Sequence, residues 1–261
     1  MTRPIFGIAL IAAVVAAIFG GPLYIALFAA LAGVAAAREW HRMVGERVYG
    51  PAFILTSLTI IAALAVQLFW HSAAGWAVLA VGAVIVTLYA AFSGHFAAWH
   101  GLGPLYLGIA PLALLFLRGL PEGPWIIIGM FLAVWATDTG ALILGNLIGG
   151  PRLWPALSPN KTWSGTLGAV AAAAVVEAVY VAILGGHPVP AAVLGAAVAI
   201  VSHAGDLFES WVKRVFQRKD SGAMIPGHGG VLDRIDSTLF AVPFLALGVL
   251  AGLNPMFGAH P

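Results

Sequence analysis

At 61% hydrophobic and 8% charged residues over 261 positions, with a mean hydropathy of +1.00, the chain is no ordinary soluble domain, where about a quarter of residues carry charge. A lipid-spanning β-barrel is excluded too, because its strands alternate over ~10-residue segments, whereas stretches such as Ile8 to Ile18 are apolar all round. A net charge of +2 without a basic tail argues against nucleic acid, and the lack of cysteine removes disulfides, thiolate chemistry and Cys-bound metals.

What remains is an all-α, polytopic membrane bundle. Apolar runs bounded by Gly, Pro or charge predict nine helices, at roughly 5–19, 22–37, 51–70, 75–93, 102–117, 124–147, 164–185, 190–208 and 237–254. The start, Met1-Thr2-Arg3-Pro4 and then Ile5 to Phe19, has the look of a signal peptide. Gly20-Gly21-Pro22 leads straight into a second apolar run, however, so the first helix reads as uncleaved. The run 102–117 is short enough to be tilted or partly re-entrant. No linker splits the chain, so 1–261 reads as one membrane domain, with N-terminal helices over roughly 1–120 and a catalytic region over roughly 124–254. With the N-terminus inside and nine crossings, every Lys and Arg except Arg118 falls on one side. Cytoplasmic loops attract Lys and Arg, which places the charged loops in the cytoplasm.

Chemistry-bearing residues follow in chain order. Asp138 lies on the sixth helix in Trp135-Ala136-Thr137-Asp138-Thr139-Gly140, and leads to a loop ending Ser158-Pro159-Asn160-Lys161-Thr162. A Ser, a Lys and a Thr around a proline turn, just before a helix whose free N–H groups favour anions, resemble a phosphate cradle; Ser-Pro turns before helices are common in any case. Glu177, deep in the seventh helix, is either a proton or ion site or a structural acid. Asp206 and Glu209 close the eighth helix. An acid at membrane depth is a functional candidate by default, and Asp206 is placed to converge with Asp233 on one metal, whereas Glu209 reads as nearer to water and paired with a cation. The histidines at 71, 95, 100, 187 and 260 lack metal-ligand spacing and read as solvated or interfacial.

The densest charge lies between Ser210 and Asp236. Lys213, Arg214, Arg218, Lys219 and Arg234, five of the twelve basic residues, fall there with Asp220, Asp233, Asp236 and the run His228-Gly229-Gly230. Placing so much charge beside spanning sequence costs free energy unless the segment handles something ionic. The pair Asp233 and Asp236 puts two carboxylates on one helix face. Acidic first turns also cap helices, but the preceding glycines let backbone approach a phosphate closely. Carboxylates beside phosphate imply a bridging divalent cation, for which magnesium is the usual choice.

In these residues the chain resembles the phosphatidate cytidylyltransferases, or CDP-diacylglycerol synthases. The resemblance rests on Ser210, Lys213-Arg214, Lys219-Asp220, Pro226, His228-Gly229-Gly230, Asp233-Arg234 and Asp236, an ungapped match, and extends upstream to Asp138 and Ser158 to Thr162. It implies that CTP and phosphatidic acid give CDP-diacylglycerol and pyrophosphate. It also implies magnesium held by Asp206 and Asp233 with Asp236 beside them, room for a second, monovalent cation, and a membrane-embedded homodimer. Lys213, Arg214, Lys219 and Lys161 would then neutralise phosphates. Ser210 and Asp220 would orient these groups, and Ser158, Asn160, Thr162, Asp138, His228, Gly229, Gly230 and Arg234 would contact substrate. The chain departs from the family pattern after Asp138. Leu142 and Gly145-Asn146-Leu147-Ile148-Gly149-Gly150 replace an aromatic and a Gly-Arg-x-x-Gly-Lys run, and Ser164 stands where Glu is expected. Arg152 is a candidate to replace one lost cation.

Two other readings stay open on the residues alone. A CTP-dependent lipid kinase would transfer the γ-phosphoryl group and release CDP instead of pyrophosphate. A transporter of an anionic solute would line a midplane path with its charges, whereas here they cluster towards one face.

Overall fold

The computed structural model describes residues 2–252 apart from 48, 223 and 225–228. Nine helices and one two-stranded hairpin make up the described residues, and seven of those helices are long and apolar enough to cross a membrane. The chain is a multi-pass membrane protein. It divides into two compact units, Met1–Pro124 with Val215–Ile235, and Trp125–Arg214 with Asp236–Pro261.

The first unit is built from α1 (Thr2–Gly20), α2 (Pro22–Met43), α3 (Pro51–Phe69), α4 (Ser72–Phe92) and α5 (Ala97–Arg118). At 22 residues α5 is a full-length span, and not the short or re-entrant segment that the run 102–117 suggested. It tolerates Pro104 and Pro111 because it is buried nearly all round, with Leu107, Leu112 and Leu117 packed among α2, α3 and α4. Small residues admit these neighbours: a Cβ at Gly108 would collide with Leu79. Outward, Leu31, Ile61, Leu88 and Phe92 are exposed, as a lipid-facing surface requires. Arg118, at the end of α5, gives its Nε–H to the Ile18 carbonyl at 2.6 Å.

Helix α2 runs two turns past the expected end at 37. Hydropathy stops at Arg38, but Glu39, Trp40 and His41 are all buried. Trp40 donates its indole N–H to the Trp99 carbonyl at 3.0 Å and stacks at a tilt on Tyr106. His41 meets His100 Nδ1 to Nδ1 at 2.9 Å and Thr56 Oγ1 at 2.8 Å. Glu46 caps α3, accepting the N–H groups of Ala52 at 2.8 Å and Phe53 at 3.1 Å.

The second unit holds α6 (Gly123–Ile148), β1 (Arg152–Trp154), β2 (Ser158–Thr162), α7 (Trp163–Ile183), α8 (Pro188–Val215) and most of α9 (Leu232–Leu250). The segment between α6 and α7, expected as a loop, is an antiparallel hairpin pairing Arg152 with Thr162 and Trp154 with Ser158. Glycines again set the helix spacing. Gly140 of α6 lies against the backbone of Gly168 and Ala169, and Gly195 of α8 against Ala173 and Glu177.

Both helices that carry the charged segment are longer than hydropathy suggested. Helix α8 continues from the expected 208 to Val215, so Ser210, Lys213 and Arg214 are helical. Helix α9 begins at Leu232 instead of 237, which puts Asp233 and Asp236 in its opening turns. Its expected last residues, 253 and 254, lie outside the described residues.

Candidate active site

Three elements of the second unit bring charge together. The second strand of the hairpin carries Lys161, one side of α8 carries Asp206, Glu209, Ser210 and Lys213 at helical spacing, and α9 carries Asp236 in its opening turns. Gly205 makes this possible: a Cβ there would lie 2.6 Å from the Asp236 carbonyl oxygen, so its absence lets the α9 main chain close on α8. Lys161 forms an ion pair with Asp206, and the Ser210 hydroxyl faces the same carboxylate at 3.4 Å. Lys213 pairs with Glu209 at 3.4 Å across one turn. Glu209 therefore has the cation partner expected of it, but it is fully buried and not turned to water.

Asp236 stands ahead of the apolar stretch of α9. Burial, and then the like charge of Asp206, push its carboxyl up to about 6, against hydrogen bonds from Glu209 and from the Ser237 N–H at 2.6 Å. Asp206, Glu209 and Asp236 supply carboxylate oxygens, the hard ligands that magnesium takes. The residues of this unit fit that ion.

In the first unit, Asp233 is held by backbone. Its carboxylate accepts the Gly230 N–H at 2.9 Å and the Ser221 N–H at 3.3 Å. Gly229, at φ +82°, lies against the same carboxylate, and a Cβ there would stand 3.1 Å from it. Capping geometry and ligand chemistry coincide here, since a carboxylate has lone pairs for both.

The remaining candidates are more scattered. Lys219, Asp220, Arg214 and Arg234 are exposed, and so is Asp138 on α6. Asn160 offers its carbonyl to Arg152 at 2.9 Å, within the hairpin. Thr162 is the N-cap of α7, accepting the Gly165 N–H at 3.1 Å, so its hydroxyl has a structural task. Ser164 bridges from Thr162 to the Gly149 carbonyl. That links two departures from the family pattern: Gly149 and Gly150 take positive φ, of 65° and 99°, and Ser164 fastens the turn they form. His228 and Pro226 lie outside the described residues, as does His260.

Sequence reasoning missed Glu39, Glu46 and His41, and it read His100 as interfacial when it is buried. His41, Glu46 and His100 present ligand atoms within 4.8 Å of one another and could hold a metal ion. Imidazole nitrogens favour a transition metal over magnesium. The available signal was ionisable residues at the end of an apolar helix, Arg38-Glu39-Trp40-His41, which membrane energetics marks for scrutiny.

Helices of spanning length that carry carboxylates facing lysines suit a membrane protein that handles ionic groups. The sequence pattern of the cytidylyltransferase family matches residues 1–251, and the chain belongs to that family. Among its relatives, a phosphatidate cytidylyltransferase of Brucella suis is 40% identical over 233 residues, covering 85% of this chain and 82% of that protein. A phosphatidate cytidylyltransferase of Staphylococcus saprophyticus is 40% identical over 156 residues, 59% of each chain.

Proposed function

We propose that the chain transfers the cytidylyl group of CTP to phosphatidic acid, giving CDP-diacylglycerol and pyrophosphate. The observation that carries this reading is the convergence of Lys161 and Ser210 on Asp206, beside Asp236, within a chain matched by the family over nearly its whole length. The phosphate of phosphatidic acid is already anionic at neutral pH, so one of its oxygens attacks the α-phosphorus of CTP with little need of a base. The bond to the β-phosphate breaks, and pyrophosphate leaves with the charge. Repulsion between anions is the obstacle, so positioning and electrostatic stabilisation dominate the catalysis.

Asp206 and Asp233, with Asp236 beside Asp206, are the aspartates we assign to magnesium, which would neutralise the CTP phosphates and the departing pyrophosphate. Lys161 pairs with Asp206; a cation held by that carboxylate would leave the ammonium to a phosphate. Lys213, Arg214 and Lys219 add positive charge along the same segment, and Ser210 orients Asp206. A cytoplasm-facing site in the cell membrane, a homodimer and a second, monovalent cation complete the proposal.

The test uses purified protein in detergent with phosphatidic acid, magnesium and α-labelled CTP. Label entering the lipid phase, and lost on chelation, is the expected result. No label from α-labelled CTP, with label entering lipid from γ-labelled CTP, would replace this reading with a lipid kinase.

A further inference from the structure

Glu39 sits far from the charged segment in sequence and touches it directly. It is 2% exposed on α2. Its Oε2 accepts the Leu232 N–H at 2.9 Å and faces the Ser221 hydroxyl at 3.4 Å. Leu232 opens α9, so Glu39 satisfies one of the free N–H groups of that helix start from another helix, where a negative charge is also favoured by the helix dipole. Asp233, the next residue, takes the Ser221 N–H and the Gly230 N–H. A closed ring results: Glu39 holds Leu232 and Ser221, and Asp233 holds Ser221 from the other side.

The glycines of this segment fit the same contact. A Cβ at Gly222 would stand 2.2 Å from Glu39 Oε1, and one at Gly230 would stand 2.5 Å from Oε2. Both would have to displace the carboxylate. Burying an acid near the end of an apolar helix costs several kcal/mol unless hydrogen bonds compensate, and Glu39 obtains them from the segment that presents Asp233. Oε1 has no hydrogen-bond partner among the described residues, so the Leu232 and Ser221 contacts on Oε2 are what anchor the side chain.

We infer that Glu39 is a positioning residue for Asp233, fixing the start of α9 and Ser221 so that the Asp233 carboxylate keeps one place. This rests on the proposed role of Asp233 in holding magnesium. A carboxylate ligand displaced by a fraction of an ångström binds its ion less well, and partners of metal ligands typically govern about 10- to 100-fold in affinity or activity.

The experiment compares wild type, Glu39→Ala, Glu39→Gln and Asp233→Asn in detergent, by hydrogen exchange over 229–235 and by the magnesium half-saturation of label transfer. In Glu39→Ala, exchange at the Leu232 amide should quicken about tenfold or more, as loss of a hydrogen bond to a charged group implies. The magnesium half-saturation should rise about tenfold, with protection of α3 and α5 unchanged. Glu39→Gln keeps an acceptor oxygen and should recover most of both. Should Glu39→Ala fail to fold, Ser221→Ala opens the same ring at one bond and should show both effects at several-fold size. Unchanged exchange at Leu232, or faster exchange with an unchanged magnesium requirement in an active enzyme, would overturn the inference. A wild type that moves no label, or a fully active Asp233→Asn, overturns the proposed function or the role of Asp233 instead, and exchange at Leu232 then decides the Glu39 contact by itself.

Discussion

The acids of α8 and α9 in the second unit and the acids around Ser221 in the first are neutralised by different means. Asp206 and Glu209 meet the ammonium groups of Lys161 and Lys213, whereas Glu39 and Asp233 meet the main-chain N–H groups of Leu232, Gly230 and Ser221. A lysine on a flexible stem can leave its partner when a better cation arrives. A backbone N–H at a helix start cannot. One region thus carries charge that can be exchanged, and the other holds its acids in place.

Four substitutions can break or sharpen that contrast. The largest effect is expected for Asp206→Asn, which keeps shape but loses the charge that pairs with Lys161 and that we assign to magnesium: cytidylyl transfer should fall about 100- to 1,000-fold, and near-normal turnover would remove Asp206 from the site. Next is Lys161→Ala. If the lysine exchanges between Asp206 and phosphate, kcat should fall by about 10- to 100-fold while magnesium binds no worse than in wild type, because its competitor is gone. A weakened magnesium requirement curve would show Lys161 to be a fixed support.

Thr162→Ala should act on stability alone. Loss of the α7 cap costs about 0.5–2 kcal/mol, read as a lower Tm in detergent, and a large loss of activity at unchanged Tm would return Thr162 to the substrate contacts. The smallest effect concerns pH. Because the Asp236 carboxyl is raised from an ordinary 3.8 to about 6, the folded, metal-free chain holds a proton that the unfolded chain has already lost. Stability in chelator should therefore be full below about pH 4 and decline as pH rises through about 6. Asp236→Asn should flatten that slope, and an unaltered profile would assign it to another group.

Much of this was legible in the sequence. Apolar runs marked every helix, and the spacing from Ser210 to Asp236 marked the family. Helix ends were not legible wherever charge rides on a helix: hydropathy ends α2 before Glu39 and α8 before Glu209, yet both acids are buried, Glu39 against the Leu232 N–H and Glu209 beside Lys213 one turn away. Glu39 was invisible for the same reason, since its partners lie at Ser221 and Leu232. The hairpin was hidden because Ser158-Pro159-Asn160 reads as turn chemistry, while its pairing with Arg152 to Trp154 is tertiary.

Gly205 gives an engineer an uncharged handle on this enzyme. The residue bears no side chain, and the main chain of Asp236 rests against it. A single methyl group placed there would push one helix along the other and carry an acid with it, leaving every ionisable group in the protein chemically as it was. Retuning by spacing and not by charge is open at that one position, and a graded series from glycine to alanine to serine would measure how finely the acids must be set.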